Sequence, residues 1–219
     1  MTDLAPRFHA DDPRFVEALA YACRMHRDQT RKSTDIPYVA HLLGVASLAI
    51  EYGGNIDEAI GALLHDVIED CGAEYSEEIR EKFGDKVFEI VEACTDAFVT
   101  PKPPWVTRKT NYIAHLQSKS PSVLLVSTAD KLYNARSILK DLRSEGEGMF
   151  SRFSNKNHWT IVWYYSRLSR EFLALGGGEI ASELDRVVRK IENKLKETVG
   201  RAEVFEELDG ELERARERA

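Results

Sequence analysis

The chain has 219 residues, of which 43% are hydrophobic, and this supplies enough apolar surface for one large domain or two small ones. Its formal net charge of −7 argues against non-specific binding to nucleic acid, which requires a broad basic surface. No apolar run approaches the roughly 20 residues of a membrane span, and the first residues lack the features of a signal peptide, so we expect a cytoplasmic protein without membrane contacts. Three cysteines without a C-x-x-C pair favour buried, reduced thiols.

Two helices are predicted in the first quarter of the chain. The first covers residues 12–28, with Asp12 as its N-cap and Pro13 at the first helical position. The second covers residues 38–52 and is apolar nearly all round, which predicts a central position in the fold. His41 lies inside this second helix, where it is either a hydrogen-bonded core residue or a ligand.

A third helix is predicted over residues 57–70, and it has two distinct faces. Its apolar stripe consists of Ile60, Leu63, Leu64, Val67 and Ile68. The opposite face carries His65, Asp66, Glu69 and Asp70, preceded by the small residues Ala59, Gly61 and Ala62. Small residues suit close approach of another element, so we interpret this polar face as pointing into a cleft. The alternative is a solvated acidic helix end that happens to contain a histidine.

The rest of the chain is also predicted to be helical. Helices are expected at residues 76–83, 85–97, 107–118, 122–142, 153–175 and 179–198, with a proline-rich loop at 100–105. The aromatic run at 158–165 is interpreted mainly as core. We predict an all-α, single-domain helical bundle over residues 10–200, followed by a charged C-terminal tail at 201–219. The last helix and this tail have the composition of an exposed or partner-facing end.

Asp130 interrupts the apolar first part of the helix predicted at 122–142. An ionised aspartate buried without a partner costs several kcal/mol, so Asp130 should be paired with a cation or a metal. Together with His41, His65 and Asp66 it would form a set of two imidazoles and two carboxylates. Such a set can hold one divalent transition metal and leave positions open for water and substrate. Asn134 follows one turn after Asp130, on the same helix face.

Basic residues occur in small clusters although the whole chain is acidic. The clusters are Arg31 with Lys32, Arg108 with Lys109, and Lys131 with Arg136. Clusters of this size suit a small polyanion better than a nucleic-acid polymer.

In this order, the segments resemble the HD superfamily of metal-dependent phosphohydrolases. They are most similar to the hydrolase domain of the RelA/SpoT enzymes, and among these to the stand-alone, Mesh1-like small alarmone hydrolases. The similarity covers about residues 15–142 and is carried by Arg31-Lys32-Ser33, Pro37-Tyr38-x-x-His41, Ala62-Leu63-Leu64-His65-Asp66-x-x-Glu69-Asp70, Phe83-Gly84 and Ala129-Asp130-Lys131-Leu132-x-Asn134-x-Arg136. Two positions depart from the group's pattern: Leu42 replaces a proline and Tyr133 replaces a histidine.

The resemblance implies a reaction and a role for each matching residue. The reaction is hydrolysis of the 3′-diphosphate of ppGpp or pppGpp. The implied manganese ligands are His41, His65, Asp66 and Asp130. Glu69 and Asp70 would orient or deprotonate the attacking water. The nucleotide would be held by Arg31, Lys32, Ser33 and Asn134, with phosphate contacts from Lys109 and Lys131. The same chemistry on another nucleotide, or a catalytically silent binding module, are the alternatives, and a homo-oligomer is left open.

Overall fold

The computed structural model describes residues 8–95, 103–153, 155, 157–195 and 200–219. Its α-helices are α1 (Pro13–Met25), α2 (Val39–Glu51), α3 (Ile56–Leu64), α4 (Val67–Cys71), α5 (Ser76–Phe83), α6 (Asp85–Cys94), α7 (Trp105–Ala114), α8 (Pro121–Glu145), α9 (His158–Ala174), α10 (Gly178–Lys194) and α11 (Arg201–Arg216). Within these ranges, extended pairing is confined to one isolated bridge between Thr30 and Pro37. The predicted all-α fold class is confirmed.

The helices group into two compact units. The first contains the described residues of Met1–Phe98 and Ser120–Tyr133. Its centre is α3, which packs against α1, α2 and α6 and buries every residue from position 59 to 64. A Cβ atom at Gly61 would lie 2.7 Å from Ile90 Cγ2 on α6, so only glycine permits this close approach. The predicted close approach of another element is confirmed at Gly61.

Local sequence signals explain where the first helices begin. The Asp12 side chain accepts a hydrogen bond from the Arg14 backbone N–H at 2.8 Å, and Pro13 is the first residue of α1. Asn55 and Glu58 form a reciprocal capping box at the start of α3. Both caps satisfy backbone donors that a helix leaves free at its N-terminus.

The helix predicted over residues 57–70 is interrupted, and this corrects the sequence prediction. Helix α3 ends at Leu64 and α4 begins at Val67, with His65 and Asp66 in a turn between them. Asp66 has φ −99° and ψ −3°, in the bridge region where many active-site residues lie. An unbroken helix would separate these two side chains by about 100°, whereas the turn lets both reach the same point.

The second unit contains the described residues of Val99–Lys119 and Asn134–Ala219. Helix α9 is its centre and packs against α7, α10 and α11. The aromatic run is core as predicted: Trp159, Trp163, Tyr164 and Tyr165 are all buried. Trp105 begins α7, and its ring meets that of Tyr164 edge-on at a centroid distance of 5.6 Å. Residues 96–102, which include the first half of the proline-rich loop predicted at 100–105, lie outside the described ranges.

The prediction of an exposed C-terminal end is wrong for residues 201–216. They form α11, which buries Leu208, Leu212 and Ala215. The Asp209 carboxylate accepts hydrogen bonds from Trp163 Nε1 at 2.8 Å and from Arg167 Nε at 2.6 Å. Helix α11 is therefore part of the second unit, while the domain boundary at residue 200 remains a prediction.

Helix α8 contributes residues to both units, since the division falls between Tyr133 and Asn134. None of the described helices combines the length and apolar character needed to cross a bilayer. The three cysteines are free thiols, as predicted. The expectation that they are buried is wrong for Cys23, which is exposed, while Cys71 and Cys94 are partly buried.

Candidate metal centre and active site

Four predicted ligands from three segments of the first unit meet at one point: His41 from α2, His65 and Asp66 from the turn before α4, and Asp130 from α8. His41 Nε2 lies 3.3 Å from Asp66 Oδ2 and 3.4 Å from Asp130 Oδ1. His65 Nε2 lies 3.1 Å from Asp66 Oδ2 and 3.8 Å from Asp130 Oδ1. The histidine nitrogen and carboxylate oxygen atoms of the four residues thus lie 3.1–3.8 Å from one another.

The first three of these residues also meet a stricter distance test. One donor atom each from His41, His65 and Asp66 lies within 4.8 Å of the other two, so they can share an ion. Both histidines are buried, with 1% and 2% of their surface exposed, and Asp130 is 7% exposed. The chain thus carries a His-His-Asp cluster suited to a divalent metal.

A hydrogen bond to the backbone sets the tautomer of His65. Its Nδ1 atom is 2.8 Å from the carbonyl oxygen of Ala62, which can only accept, so Nδ1 carries the proton. In the neutral ring the lone pair is then on Nε2, the atom that faces both carboxylates. A histidine held in this way by a carbonyl is typical of metal ligands.

The buried Nε2 atom of His65 indicates whether the cluster fits a metal. Within the described part of the chain, His65 Nε2 has no hydrogen-bond partner of good geometry. A buried acceptor without a partner is costly, and coordination of a cation would satisfy it. Imidazole nitrogen together with carboxylate oxygen is a donor set that divalent transition metals accept. The residues present therefore fit a metal ion.

The electrostatics of the cluster keep both carboxylates ionised. Burial raises the pKa of Asp66, but the adjacent His65 and His41 outweigh burial and hold this pKa well below its usual range. Burial likewise opposes ionisation of Asp130, whose pKa is nevertheless lowered by Lys131 and His65. Burial lowers the pKa of His41, although Asp66 and Asp130 oppose that shift. Burial lowers the pKa of His65, but Asp66 and Asp130 outweigh burial and hold this pKa well above its usual value. The two ionised carboxylates thus favour a cation beside them.

Tyr38 is a site residue, although in the sequence it stands out only as part of the motif Pro37-Tyr38-x-x-His41. Its hydroxyl donates a 2.6 Å hydrogen bond to Asp66 Oδ2. Burial and the neighbouring carboxylate of Asp66 raise the pKa of Tyr38, which keeps the hydroxyl protonated as a donor. Tyr38 therefore orients a candidate ligand, a role visible only once residues 28 positions apart are in contact.

The predicted acidic pair, Glu69 and Asp70, lies on α4, one turn after the candidate ligands. Val67 and Ile68 are the buried residues of this short helix, so the acidic pair occupies its more accessible side. Asp70 Oδ2 accepts a hydrogen bond from Gln29 Nε2 at 2.7 Å. The pair is thus placed beside the cluster by the same turn that brings His65 and Asp66 together.

The predicted cationic segment lies on a tight loop that the Thr30–Pro37 bridge closes. The Arg31 backbone N–H donates to the Ile36 carbonyl oxygen at 2.8 Å, and Ser33 has a left-handed backbone with φ +59°. Such a conformation is uncommon for a residue other than glycine, and it occurs often at ligand-binding sites. Lys32 and Ser33 are exposed on this loop.

Arg31 is placed between two aromatic rings of the first unit. Its guanidinium carbon lies 5.8 Å from the ring centre of Tyr38 and 5.9 Å from that of Tyr133. Stacking on aromatic faces restrains the orientation of a guanidinium. Because Tyr38 also contacts Asp66, Arg31 is tied to the metal cluster.

The remaining predicted substrate residues are distributed over two helices. Lys131 follows Asp130 on α8 and donates from Nζ to Asp130 Oδ2. Asn134 lies one turn further along α8 and is assigned to the second unit. Lys109 lies on α7, also in the second unit, where its Nζ is 5.2 Å from the ring centre of Tyr164. Their roles toward a substrate remain predictions, as do those of the four candidate ligands.

Comparisons with known proteins show the family of the chain. The family profile described as an HD domain matches residues 18–158, which contain every predicted site residue. The chain is 40% identical over 140 residues to guanosine-3′,5′-bis(diphosphate) 3′-pyrophosphohydrolase MESH1 of Xenopus tropicalis, covering 63% of this chain and 75% of that protein. It is 37% identical over 126 residues to MESH1 of Homo sapiens, covering 56% and 68% respectively.

A solved structure gives the same result at the level of the fold. It is described as a metazoan ortholog of SpoT that hydrolyses ppGpp, and it matches with a TM-score of 0.67 at 28% identity. The match covers 82% of this chain and 96% of that one.

Proposed function

The chain belongs to the HD domain family, and we propose that it is a metal-dependent hydrolase that removes the 3′-diphosphate of ppGpp or pppGpp. The products are pyrophosphate and GDP or GTP. The observation that carries this proposal is the buried convergence of His41, His65, Asp66 and Asp130 beside an acidic pair and a cationic loop. The identity to MESH1 proteins over more than two thirds of their length supports the choice of substrate.

We place one divalent ion, Mn²⁺, among the four candidate ligands. His65 Nε2 and His41 Nε2 would supply the nitrogen donors, and Asp66 and Asp130 the oxygen donors. A bound divalent cation acidifies water and polarises a phosphoryl oxygen. The mixture of imidazole and carboxylate donors supports a divalent transition metal. The resemblance to the RelA/SpoT hydrolase domain supports Mn²⁺ among these metals.

Glu69 and Asp70 handle the proton of the attacking water. The water oxygen forms a bond to the phosphorus attached to the 3′ oxygen, and the bond from that phosphorus to the 3′ oxygen breaks. The 3′ oxygen then takes a proton from solvent and leaves as the 3′ hydroxyl of GDP or GTP. Glu69 takes the proton that the water loses, because its carboxylate follows the ligand turn by three residues on α4. Asp70 orients the water. A carboxylate in this role contributes about 10²–10⁴-fold to the rate.

The cationic loop holds the nucleotide. Arg31, restrained by the rings of Tyr38 and Tyr133, presents its N–H groups to a phosphate. Lys32 and Ser33 add one charge and one hydroxyl from the same loop. Lys131, Asn134 and Lys109 are further proposed contacts to the guanosine and its phosphates. Several cations are appropriate because the substrate carries four or five phosphates.

The test is turnover of the purified protein on ppGpp with added Mn²⁺, alongside GTP, GDP and dGTP and a metal-free control. Pyrophosphate release from ppGpp alone, dependent on metal, is the expected result. Comparable hydrolysis of the simple nucleotides would refute the 3′-diphosphate selectivity. Absence of turnover with every substrate would instead favour a silent binding module.

The variant Asp66→Ala tests the metal assignment within the same experiment. Loss of one anionic ligand should abolish both metal binding and turnover, while circular dichroism shows that the fold survives. Unchanged activity of Asp66→Ala would remove Asp66 from the metal site.

A further inference from the structure

A chain of two hydrogen bonds leads from the core of the first unit to the exposed Asp70, one member of the acidic pair. It starts at His26, which follows the last residue of α1 and is only 3% exposed. The Nδ1 atom of His26 lies 2.7 Å from the side-chain oxygen Oε1 of Gln29. Because an amide oxygen can only accept, Nδ1 is the donor in this bond.

The Gln29 side chain also forms a hydrogen bond to Asp70. Its amide nitrogen Nε2 donates to Asp70 Oδ2 at 2.7 Å, across 41 positions of sequence. With Oε1 accepting from His26, the amide cannot flip without losing both hydrogen bonds.

The backbone of Gln29 is also fixed at both ends. Its N–H donates to the His26 carbonyl oxygen at 3.1 Å, and its carbonyl oxygen accepts from the Tyr38 N–H at 2.9 Å. Gln29 is therefore held in place by four hydrogen bonds of its own backbone and side chain.

His26 also supports the carboxylate of Asp66, through Tyr38. Its ring stacks on the ring of Tyr38 at a centroid distance of 5.1 Å and an interplanar angle of 21°. Tyr38 in turn donates to Asp66, a candidate metal ligand. One buried histidine thus braces both Asp66, through Tyr38, and Asp70, through Gln29.

We propose that Gln29 is a positioning residue that fixes the carboxylate of Asp70 for hydrolysis, and that His26 holds Gln29 in the orientation this requires. The inference rests on the proposed function, because it assigns Asp70 a task in that reaction. Asp70 is exposed, and an exposed carboxylate samples several rotamers unless a donor selects one. A displacement of about 1 Å in a reacting group can cost 10²-fold in rate, so selection of one rotamer affects kcat.

The test compares three variants of the full chain loaded with Mn²⁺ and assayed on ppGpp. Gln29→Glu keeps the shape and the acceptor for His26 but replaces the donor to Asp70 with an oxygen that repels it. Gln29→Leu removes the hydrogen bonds without adding charge. The control, Gln117→Glu, makes the same charge change at an exposed position in the second unit.

Both Gln29 variants should lower kcat by about 10–100-fold, with KM and Mn²⁺ affinity within about threefold of wild type. His26→Phe, which retains a ring against Tyr38 but lacks the Nδ1–H donor, should lower kcat by about 3–10-fold with the same KM. The control should match wild type. A kcat within twofold of wild type in a folded Gln29→Glu protein would overturn the proposal. A loss of kcat that accompanies loss of bound metal would also overturn it, because the role would then be structural.

A second readout needs neither metal nor substrate. Urea unfolding of the metal-free proteins gives midpoints for Gln29→Leu, Asp70→Ala and the double variant. If the two side chains interact, the double variant should shift the midpoint by less than the sum of the single shifts. Additive shifts of the urea midpoint would refute the interaction between the Gln29 and Asp70 side chains. A wild-type protein that releases no pyrophosphate from ppGpp would refute the proposed function, whereas wild-type turnover with a normal Gln29→Glu rate would refute the positioning role alone.

Discussion

Removal of one hydroxyl group should weaken metal binding without removing any ligand. In Tyr38→Phe, the 2.6 Å hydrogen bond to Asp66 Oδ2 is lost. The aromatic ring remains, and with it the stacking on His26 and the contact with the Arg31 guanidinium. The substitution therefore isolates the orientation of one candidate ligand from the packing around it.

The size of the effect follows from the charge of the acceptor. A hydrogen bond to a charged group contributes about 1.5–3 kcal/mol, and each 1.4 kcal/mol corresponds to about a tenfold change in affinity. The affinity for Mn²⁺ should therefore fall about 10–100-fold, the range found when a group that orients a metal ligand is removed. Asp66 would retain its coordinating oxygen atoms but would sample more rotamers before binding.

The assay is calorimetric titration of Mn²⁺ into the metal-free protein at neutral pH, or competition with a fluorescent chelator. Tyr52→Phe is the matched control, because it removes the same hydroxyl group from a residue at the C-terminal end of α2, away from the cluster. Circular dichroism must show that both variants are folded. An unchanged affinity in folded Tyr38→Phe would refute the idea that Tyr38 orients Asp66.

Three further changes test other parts of the structure. Gly44→Ala should destabilise the protein by about 1–3 kcal/mol, since its Cβ would lie 1.9 Å from Tyr133 Cε2. In a Tyr133→Ser background, the same change should instead stabilise the protein by about 1 kcal/mol, because alanine favours the helix over glycine. Urea unfolding that shows no such reversal of sign would refute the overlap between a Cβ at position 44 and the Tyr133 ring. Glu69→Gln should retain metal but slow hydrolysis about 100-fold or more, and a near-normal rate would remove Glu69 from its role. Asp209→Asn should cost about 1 kcal/mol at neutral pH, allowing for the 42% exposure of the carboxylate.

The pH dependence of the last variant follows from the sign of the pKa shift. Burial opposes ionisation of Asp209, but hydrogen bonds from Arg167 and Trp163 outweigh it and lower the pKa of Asp209. A lowered pKa stabilises the fold above the unfolded value of about 3.9, and this contribution is lost as the pH falls below it. Thermal melts of wild type and Asp209→Asn should therefore converge as the pH falls through about 4. A constant difference across that range would refute the ionic contribution.

The sequence predicted candidate ligands because polar residues interrupted apolar helices. His41 is 1% exposed and Asp130 is 7% exposed, so contact with solvent does not explain why these positions carry polar side chains. The helical period also predicted most element boundaries within a few residues. It failed at the turn of His65 and Asp66, because Val67 and Ile68 continue the apolar stripe in phase and conceal the break.

Helix α11 shows a second limit of composition. Its sequence is dominated by charge, and only Leu208, Leu212 and Ala215 form the buried stripe. Three residues give a weak periodic signal, so the segment resembles a solvated tail. The bonds that hold it come from polar groups, Asp209 with Arg167 and Trp163, whose partners lie more than 40 positions away. Long-range polar pairing of this kind has no local pattern.

The packing around position 133 explains how the fold accommodates a residue that departs from the group's pattern. Tyr133 stands where the RelA/SpoT group usually has histidine, and its larger side chain reaches α2, where the hydroxyl donates to the Ala40 carbonyl oxygen at 3.2 Å. Glycine at position 44 provides the space, since any Cβ there would overlap the ring. The ring then contacts the imidazole of His41 at a centroid distance of 5.1 Å and the guanidinium of Arg31. Tyr133 and Gly44 are thus one packing unit, and together they keep His41 and Arg31 in place with a residue that is itself no candidate ligand.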